Sequence, residues 1–356
     1  MKLKRFPWGI RWIGMCIFVL LLSAFLIRSC NYLLLDDSQS YTRLTMHELY
    51  ETEEPIRTLF LGSSHCFRAY DPELFTQLTG KTAFNLGSSA QNYDTSYYIL
   101  REVIKKHPLE TVYLDMHYKF LFVDREGRDL VQANIISDYM RPSLNKLEFL
   151  TQTSELKQFT NRFLPFRRNW QRLSDLSYLR QVWEKKQTKA YREYEPVVLE
   201  QEYYAGKGFV FSNEKLDAES ITWWDRFTPV EEDMDSDVTY TLSYIEKIAE
   251  LCRQENIRLV FVTAPSFDQY LETIGPYDLA YNYIEAMAKS CEVPYYDFNL
   301  CKKEYMDLNE DSFLDVDHLN GEGAKKLTTL LAKLDLGEVN IDEYFNPCYD
   351  EKSAGR

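Results

Sequence analysis

Apolar positions along the chain fall into short runs of strand length, separated by stretches with helical spacing. Thr58–Leu61, Thr82–Asn85 and Thr111–Asp115 read as three strands. Between the first two, Asp71-Pro72-Glu73 gives a helix start, with a capping carboxylate and a proline at the first helical position. A helix from about Thr95 to Lys106 is stopped by Pro108. The rhythm then breaks and returns with a helix near Asp237–Glu255, a strand at Arg258–Thr263, a helix over Tyr277–Ser290, a strand at Tyr295–Phe298 and a last helix ending near Leu334. Five strands alternating with helices predict an α/β fold, a flavodoxin-like doubly wound parallel sheet. Loops at the carboxyl ends of such strands gather on one edge. Gly62–His65, Gly87–Asn92, His117 and Asp315–His318 all fall on that edge.

Near the N-terminus, Trp12–Ile27 is an uncharged, mostly apolar run flanked by Arg11 and Arg28. Its length is slightly under the usual spanning length of roughly 17–25 residues, and the flanking arginines can snorkel. No small-residue cleavage site follows Ala24. The pattern predicts an uncleaved signal anchor within residues 1–35. With the positive charges ahead of it, the N-terminus is expected in the cytoplasm and the rest of the chain outside. Residues 36–56 read as a polar connector, 57–118 and 237–340 as the α/β domain, 119–236 as a mostly helical insertion that caps the strand-end edge, and 341–356 as a tail.

Charge sharpens this division. The net charge of −14 excludes a general nucleic-acid binder, which needs a basic footprint. Within the insertion, residues 157–192 carry Arg162, Arg167, Arg168, Arg172 and Arg180 among aromatics such as Phe163, Trp170 and Trp183, and 193–237 are strongly acidic. Such blocks are either solvated helix faces or, for the basic half, a surface facing anionic headgroups or an anionic polymer. The seven cysteines form no CxxC pair, and the five histidines form no HExxH. No metal or other cofactor is expected.

Nucleophilic acyl chemistry needs a hydroxyl at a tight turn, a base to take its proton and an acid to orient the base. The turn after the first strand offers Ser63 and Ser64, and the loop before the last helix offers His318 with Asp315 three residues earlier. Ser64 is the expected nucleophile, His318 the base and Asp315 the orienting acid. Ser63 and Asp317 are the positional rivals, and His65 and Cys66 read as wall residues.

On these residues the sequence resembles the SGNH (GDSL-like) hydrolase superfamily. Phe60-Leu61-Gly62-Ser63-Ser64 is similar to its first block, Asn85-Leu86-Gly87 to its second and Asp315-Val316-Asp317-His318-Leu319-Asn320 to its last. The resemblance implies Ser64 as nucleophile and the N–H groups of Ser64 and Gly87 as oxyanion donors. It covers about residues 57–118 and 240–335. The third block departs from the family pattern: Leu114-Asp115-Met116-His117-Tyr118 stands where an asparagine normally donates, leaving His117 or Asn92 to substitute. The Gly-Ser-Ser variant is similar to membrane-anchored members acting on envelope polymers, of the alginate O-acetyltransfer and D-alanyl-lipoteichoic acid transfer types. That likeness implies an esterase or acyltransferase whose partners are an envelope glycopolymer, its own membrane and a membrane-bound acyl exporter. A fold retained without activity is the alternative.

Overall fold

The computed structural model describes residues 8–123, 130–155, 158–220, 239–349 and 352. Lys2, Lys4 and Arg5 of the basic stub, residues 221–237 of the acidic stretch, including the expected helix start at Asp237, and most of the tail after Tyr349 lie outside them. The chain divides into two compact units, one of residues 1–40 with 150–195 and one of residues 41–149 with 196–356.

The larger unit contains the sheet. Its strands are β1 (Thr58–Leu61), β2 (Ala83–Asn85), β3 (Thr111–Asp115), a separate hairpin of β4 (Glu202–Gly206) and β5 (Phe209–Ser212), then β6 (Arg258–Thr263) and β7 (Tyr295–Asp297). The five-stranded sheet has the order β2-β1-β3-β6-β7, and every pairing in it is parallel. Every residue of β1, β2 and β3 is buried. Helices cover both faces of such a sheet, which is why these strands read as continuous apolar runs without alternation. Phe60 anchors the core, its ring 5.3 Å from Tyr70 and 5.5 Å from Tyr113.

Local signals set the helix ends. Asp71 accepts from the Glu73 and Leu74 amides to start Pro72–Thr79, which ends at Gly80 with φ of +72°. Asn320 starts Gly321–Asp335 in the same way, accepting from the Glu322 and Gly323 amides.

Two elements were not expected. Tyr41–Glu51, inside the stretch read as a connector, is a helix that buries Leu44, Met46 and Leu49. The β4–β5 hairpin stands within the stretch read as mostly helical. Its tip reaches the end of β2, where the Asn85 amide donates to the Lys207 carbonyl at 2.8 Å. Residues 119–236 also divide between the units. The part from 150 to 195 groups with the N-terminal helix.

In the smaller unit, Trp8–Leu34 is one 27-residue helix, long and apolar enough to cross a membrane. Only its last turns pack, against the kinked 3₁₀ segment Pro165–Ser174 and the helix Leu176–Gln187. The Leu34 carbonyl, orphaned at the helix end, accepts from Asn169 Nδ2 at 2.9 Å and from the Tyr178 hydroxyl at 3.0 Å. Asn31 Oδ1 accepts from the Phe166 amide at 2.8 Å. Lys186 is buried, 2.8 Å from Asp37 and under the rings of Tyr32 and Tyr191.

Candidate active site

The turn after β1 leaves no room at Gly62. A Cβ there would sit 2.6 Å from the Asp115 Cβ and 2.9 Å from the Cys66 Cβ. Beyond it the chain enters the short helix Ser64–Ala69 with Ser63 at the N-cap. The two serines diverge. Ser63 is buried with its hydroxyl 3.0 Å from His65 Nδ1, whereas Ser64 Oγ lies 2.8 Å from His318 Nε2.

His318 sits in a loop wound around Asp315. Asp315 Oδ1 accepts from the Asp317 and His318 amides, both at 2.8 Å, and both carboxylate oxygens lie 3.0 Å from His318 Nδ1. The Leu314 amide donates to the His318 carbonyl at 2.9 Å, which closes the loop. Asn320 Nδ2 ties the base of that loop to the carbonyls of Glu214 and Asp311, each at 2.8 Å. Burial opposes ionisation of Asp315, but the hydrogen bonds from His318 hold its carboxyl below the ordinary range. A carboxylate facing Nδ1 places the ring proton there and leaves Nε2 to accept from the serine hydroxyl. The arrangement can therefore deprotonate Ser64.

The structure corrects the reading of His65 as a wall residue. Its ring lies between those of His117, with centroids 3.9 Å apart, and His318, at 4.5 Å, and all three are nearly parallel. Asp317, the rival acid, serves this stack. It lies 3.2 Å from His65 Nε2, His117 Nε2 and Lys119 Nζ and accepts from Ser266 Oγ at 2.9 Å. Burial pushes the His65 imidazole down to about 3 and lowers His117 as well. Burial also opposes the Asp317 carboxylate, but the His65 and His117 rings bring it well below the carboxylate range. The group is a buried carboxylate encircled by donors.

His65, His117 and Asp317 bring one donor atom each within 4.8 Å of one another, close enough to suggest a cation site. Ring geometry disfavours it. Imidazole lone pairs lie in the ring plane, and two stacked rings within 17° of parallel cannot both aim at one ion. The Lys119 ammonium already faces Asp317. His117 Nδ1 accepts from the Lys119 amide at 3.3 Å, whereas a metal-bound histidine normally donates from its second nitrogen.

The expected oxyanion donors are placed unevenly. Ser64, in the first turn of its helix, has an N–H with no partner inside that helix. Gly87 lies beside the turn, where a Cβ would come 2.9 Å from the Ser63 carbonyl, but its N–H donates to Asn85 Oδ1 at 2.9 Å. His117 is corrected as a donor: one ring nitrogen accepts from Lys119 and the other faces Asp317. Asn92 is buried at the N-cap of Tyr93–Val103, and among the described residues no hydrogen bond links it to the Ser64–His318 pair. In the same loop Ala90 adopts φ of +46°, a left-handed conformation that costs a non-glycine residue about 1–2 kcal/mol.

Under the turn, Asp115 is 3% exposed, and neither carboxyl oxygen has a well-formed hydrogen bond. Burial holds this carboxyl well above its usual range, with the Ala264 backbone N–H drawing it back only in part. A raised folded-state pKa contributes stability below the unfolded value of about 3.9, and that stability is lost as pH rises toward the folded value. Asp297, which burial pushes up to about 6, acts in the same direction. Asp115→Asn, whose side chain cannot ionise, should therefore flatten the decline in stability above about pH 4. Thermal unfolding of the detergent-solubilised chain across this range checks it, and an unchanged pH dependence counts against it.

A scan against profiles of known protein families finds no match, and a search of curated proteins finds none. Among solved structures, the chain is similar to a GDSL-like lipase from Bacteroides thetaiotaomicron, with 11% identity and a TM-score of 0.38, covering 85% of this chain and 100% of that one. It is also similar to a Streptococcus pneumonia protein described as a platelet activating factor, with 13% identity and a TM-score of 0.39, covering 90% and 98%. A third, described as an acylhydrolase from Bacteroides fragilis, shares 11% identity at a TM-score of 0.37 and covers 83% and 95%. Likeness at this level carries no functional argument, and the chemistry rests on the Ser64–His318–Asp315 geometry itself.

Proposed function

We propose that the chain is an extracytoplasmic serine esterase or O-acyltransferase acting on ester groups of cell-envelope glycopolymers, held to the membrane by Trp8–Leu34. The observation that carries the reading is the relay from Ser64 Oγ to His318 Nε2 at 2.8 Å, with Asp315 on the other ring nitrogen. His318 takes the hydroxyl proton as Ser64 attacks the ester carbonyl, and Asp315 stabilises the resulting imidazolium. The Ser64 N–H faces the developing oxyanion. His318 then returns the proton to the leaving alcohol, leaving an acyl-serine. Water as the second acceptor makes the protein an esterase, and a sugar or alditol hydroxyl makes it an acyltransferase. The anchor favours transfer, since it keeps the chain at the membrane, where a membrane-bound exporter would deliver acyl groups.

Labelling the full-length protein with a fluorophosphonate, alongside turnover of acetyl and alanyl esters, tests the reading. Wild type should label, and Ser64→Ala should not. Absence of serine-dependent labelling together with absence of turnover counts against it.

A second reading, an envelope assembly protein with weak or no activity, is favoured by one observation. The Gly87 N–H and the His117 ring, both candidate oxyanion donors, are engaged elsewhere. Losing one such donor costs about 10²–10³ in turnover. Labelling without measurable turnover supports this second reading.

A further inference from the structure

In the smaller unit the N-terminal helix changes character sharply. Its 19 positions from Trp8 to Leu26 are all exposed, and burial begins at Ile27. At 1.5 Å per residue the bare stretch is about 28 Å long, close to the roughly 30 Å hydrocarbon core of a bilayer. Where it ends, Pro165–Ser174 and Leu176–Gln187 pack around the last turns, with hydrogen bonds to Asn31 and to the Leu34 carbonyl.

That packed pair of segments is not covered as a soluble surface would be. Trp170 is 68% exposed, Leu173 58%, Leu176 78% and Trp183 50%. Arg167, Arg172 and Arg180 are exposed among them. Large apolar side chains interleaved with arginines, at the level where a spanning helix leaves the hydrocarbon, have the composition of an interfacial segment.

We propose that Pro165–Gln187 is a membrane-interface collar: its tryptophan and leucine side chains enter the headgroup–acyl boundary beside the N-terminal helix, and its arginines contact anionic lipid headgroups. The proposal rests on the anchor reading above. The lipid is favoured over a soluble anionic glycan because the exposed face is apolar as well as basic, and because it adjoins the end of the bare helical stretch. The collar fixes how deeply the helix sits, because Asn169 and Tyr178 tie it to the Leu34 carbonyl.

The test reconstitutes the full-length protein into bilayers whose lipids carry bromine either high on the acyl chain or near its end. The Trp170 signal is the difference between wild type and Trp170→Phe, a conservative change at an exposed site. Bromine high on the chain should quench this component, since the side chain sits at the headgroup–acyl boundary, and bromine near the chain end should quench it less. Replacing phosphatidylcholine by phosphatidylglycerol should strengthen the quenching, and Arg167→Glu with Arg172→Glu should remove that gain. A Trp170 component unquenched by either lipid, in protein that resists alkaline carbonate extraction, overturns the collar and leaves the anchor standing. Extraction of the protein by carbonate overturns the anchor and the collar together. Unquenched Trp170 with retained binding to a soluble anionic glycan assigns the surface to a polymer and also overturns the collar.

Discussion

His318→Ala should lower kcat for a small neutral ester by about 10⁴–10⁶-fold, leaving only what binding and oxyanion contacts supply. Nothing else described approaches Ser64 Oγ as a base: Ser63 and His65 pair with each other, and Asp317 is occupied by its own donors. Asp315→Asn is the sharper experiment. The Asn oxygen can still accept from the Asp317 and His318 amides, so the loop keeps its shape, but no carboxylate charge faces Nδ1. A fall of about 10⁴ in kcat with an unchanged melting temperature is expected, because the ring loses the tautomer that accepts from serine. Near wild-type turnover in Asp315→Asn would mean that another group orients His318.

Asp317→Ala should be the most destabilising single change near the site. It removes the acceptor that Ser266 Oγ, the Lys119 ammonium and two buried imidazoles face together. Leaving buried donors without their acceptor costs about 1–3 kcal/mol, which corresponds to a drop of roughly 5 °C in Tm for a domain of this size. The pH dependence carries a second signature. His65 is held neutral down to about 3 by burial. A depressed histidine contributes stability above the unfolded value of about 6.5, and that stability is lost as pH falls toward the folded value. His65→Phe should keep the ring stack and remove this loss on acidification. Calorimetry of the detergent-solubilised chain reads both effects, and a Tm for Asp317→Ala within about 2 °C of wild type would show that the carboxylate is not the hub of the stack.

The sheet was legible because its strands are short, mostly apolar and punctuated. Asp71-Pro72 and Asn320-Gly321 mark helix starts by local chemistry that tertiary packing did not override. The meeting of Ser64 with Asp315 and His318 was legible from the place of the first after β1 and of the other two in the loop before the last helix. Tyr41–Glu51 was not, because its apolar face is narrow and Arg43 and Thr45 are buried with it. The β4–β5 hairpin carried its turn signal in Gly206-Lys207-Gly208, but the surrounding acids masked the alternation. His65 was missed for a geometric reason. Successive residues on a helix lie about 100° apart, so Ser64 and His65 do point different ways, but the His318 ring reaches across both and meets one by hydrogen bond and the other by stacking. Three of the five histidines converge there, a clustering no spacing rule displays. Nothing in the sequence pairs residues 150–195 with Trp8–Leu34, since that association is made of side chains meeting carbonyls far away in the chain.

The separation between Ser64 and His318, 254 positions, has a consequence for how the protein is made. At about 5–20 residues per second, the ribosome completes the serine turn tens of seconds before it adds the base. β1 can pair with β2 and β3 during that interval, since all three are encoded in the first third of the chain. A nascent chain therefore carries a serine with no general base beside it. On the proposed function, acyl chemistry would start only with the arrival of the last loop and of Asn320, which locks that loop to Glu214 and Asp311. Chains released before that loop is added should remain inert toward fluorophosphonate, so serine labelling during synthesis would report the addition of Asp315–Asn320.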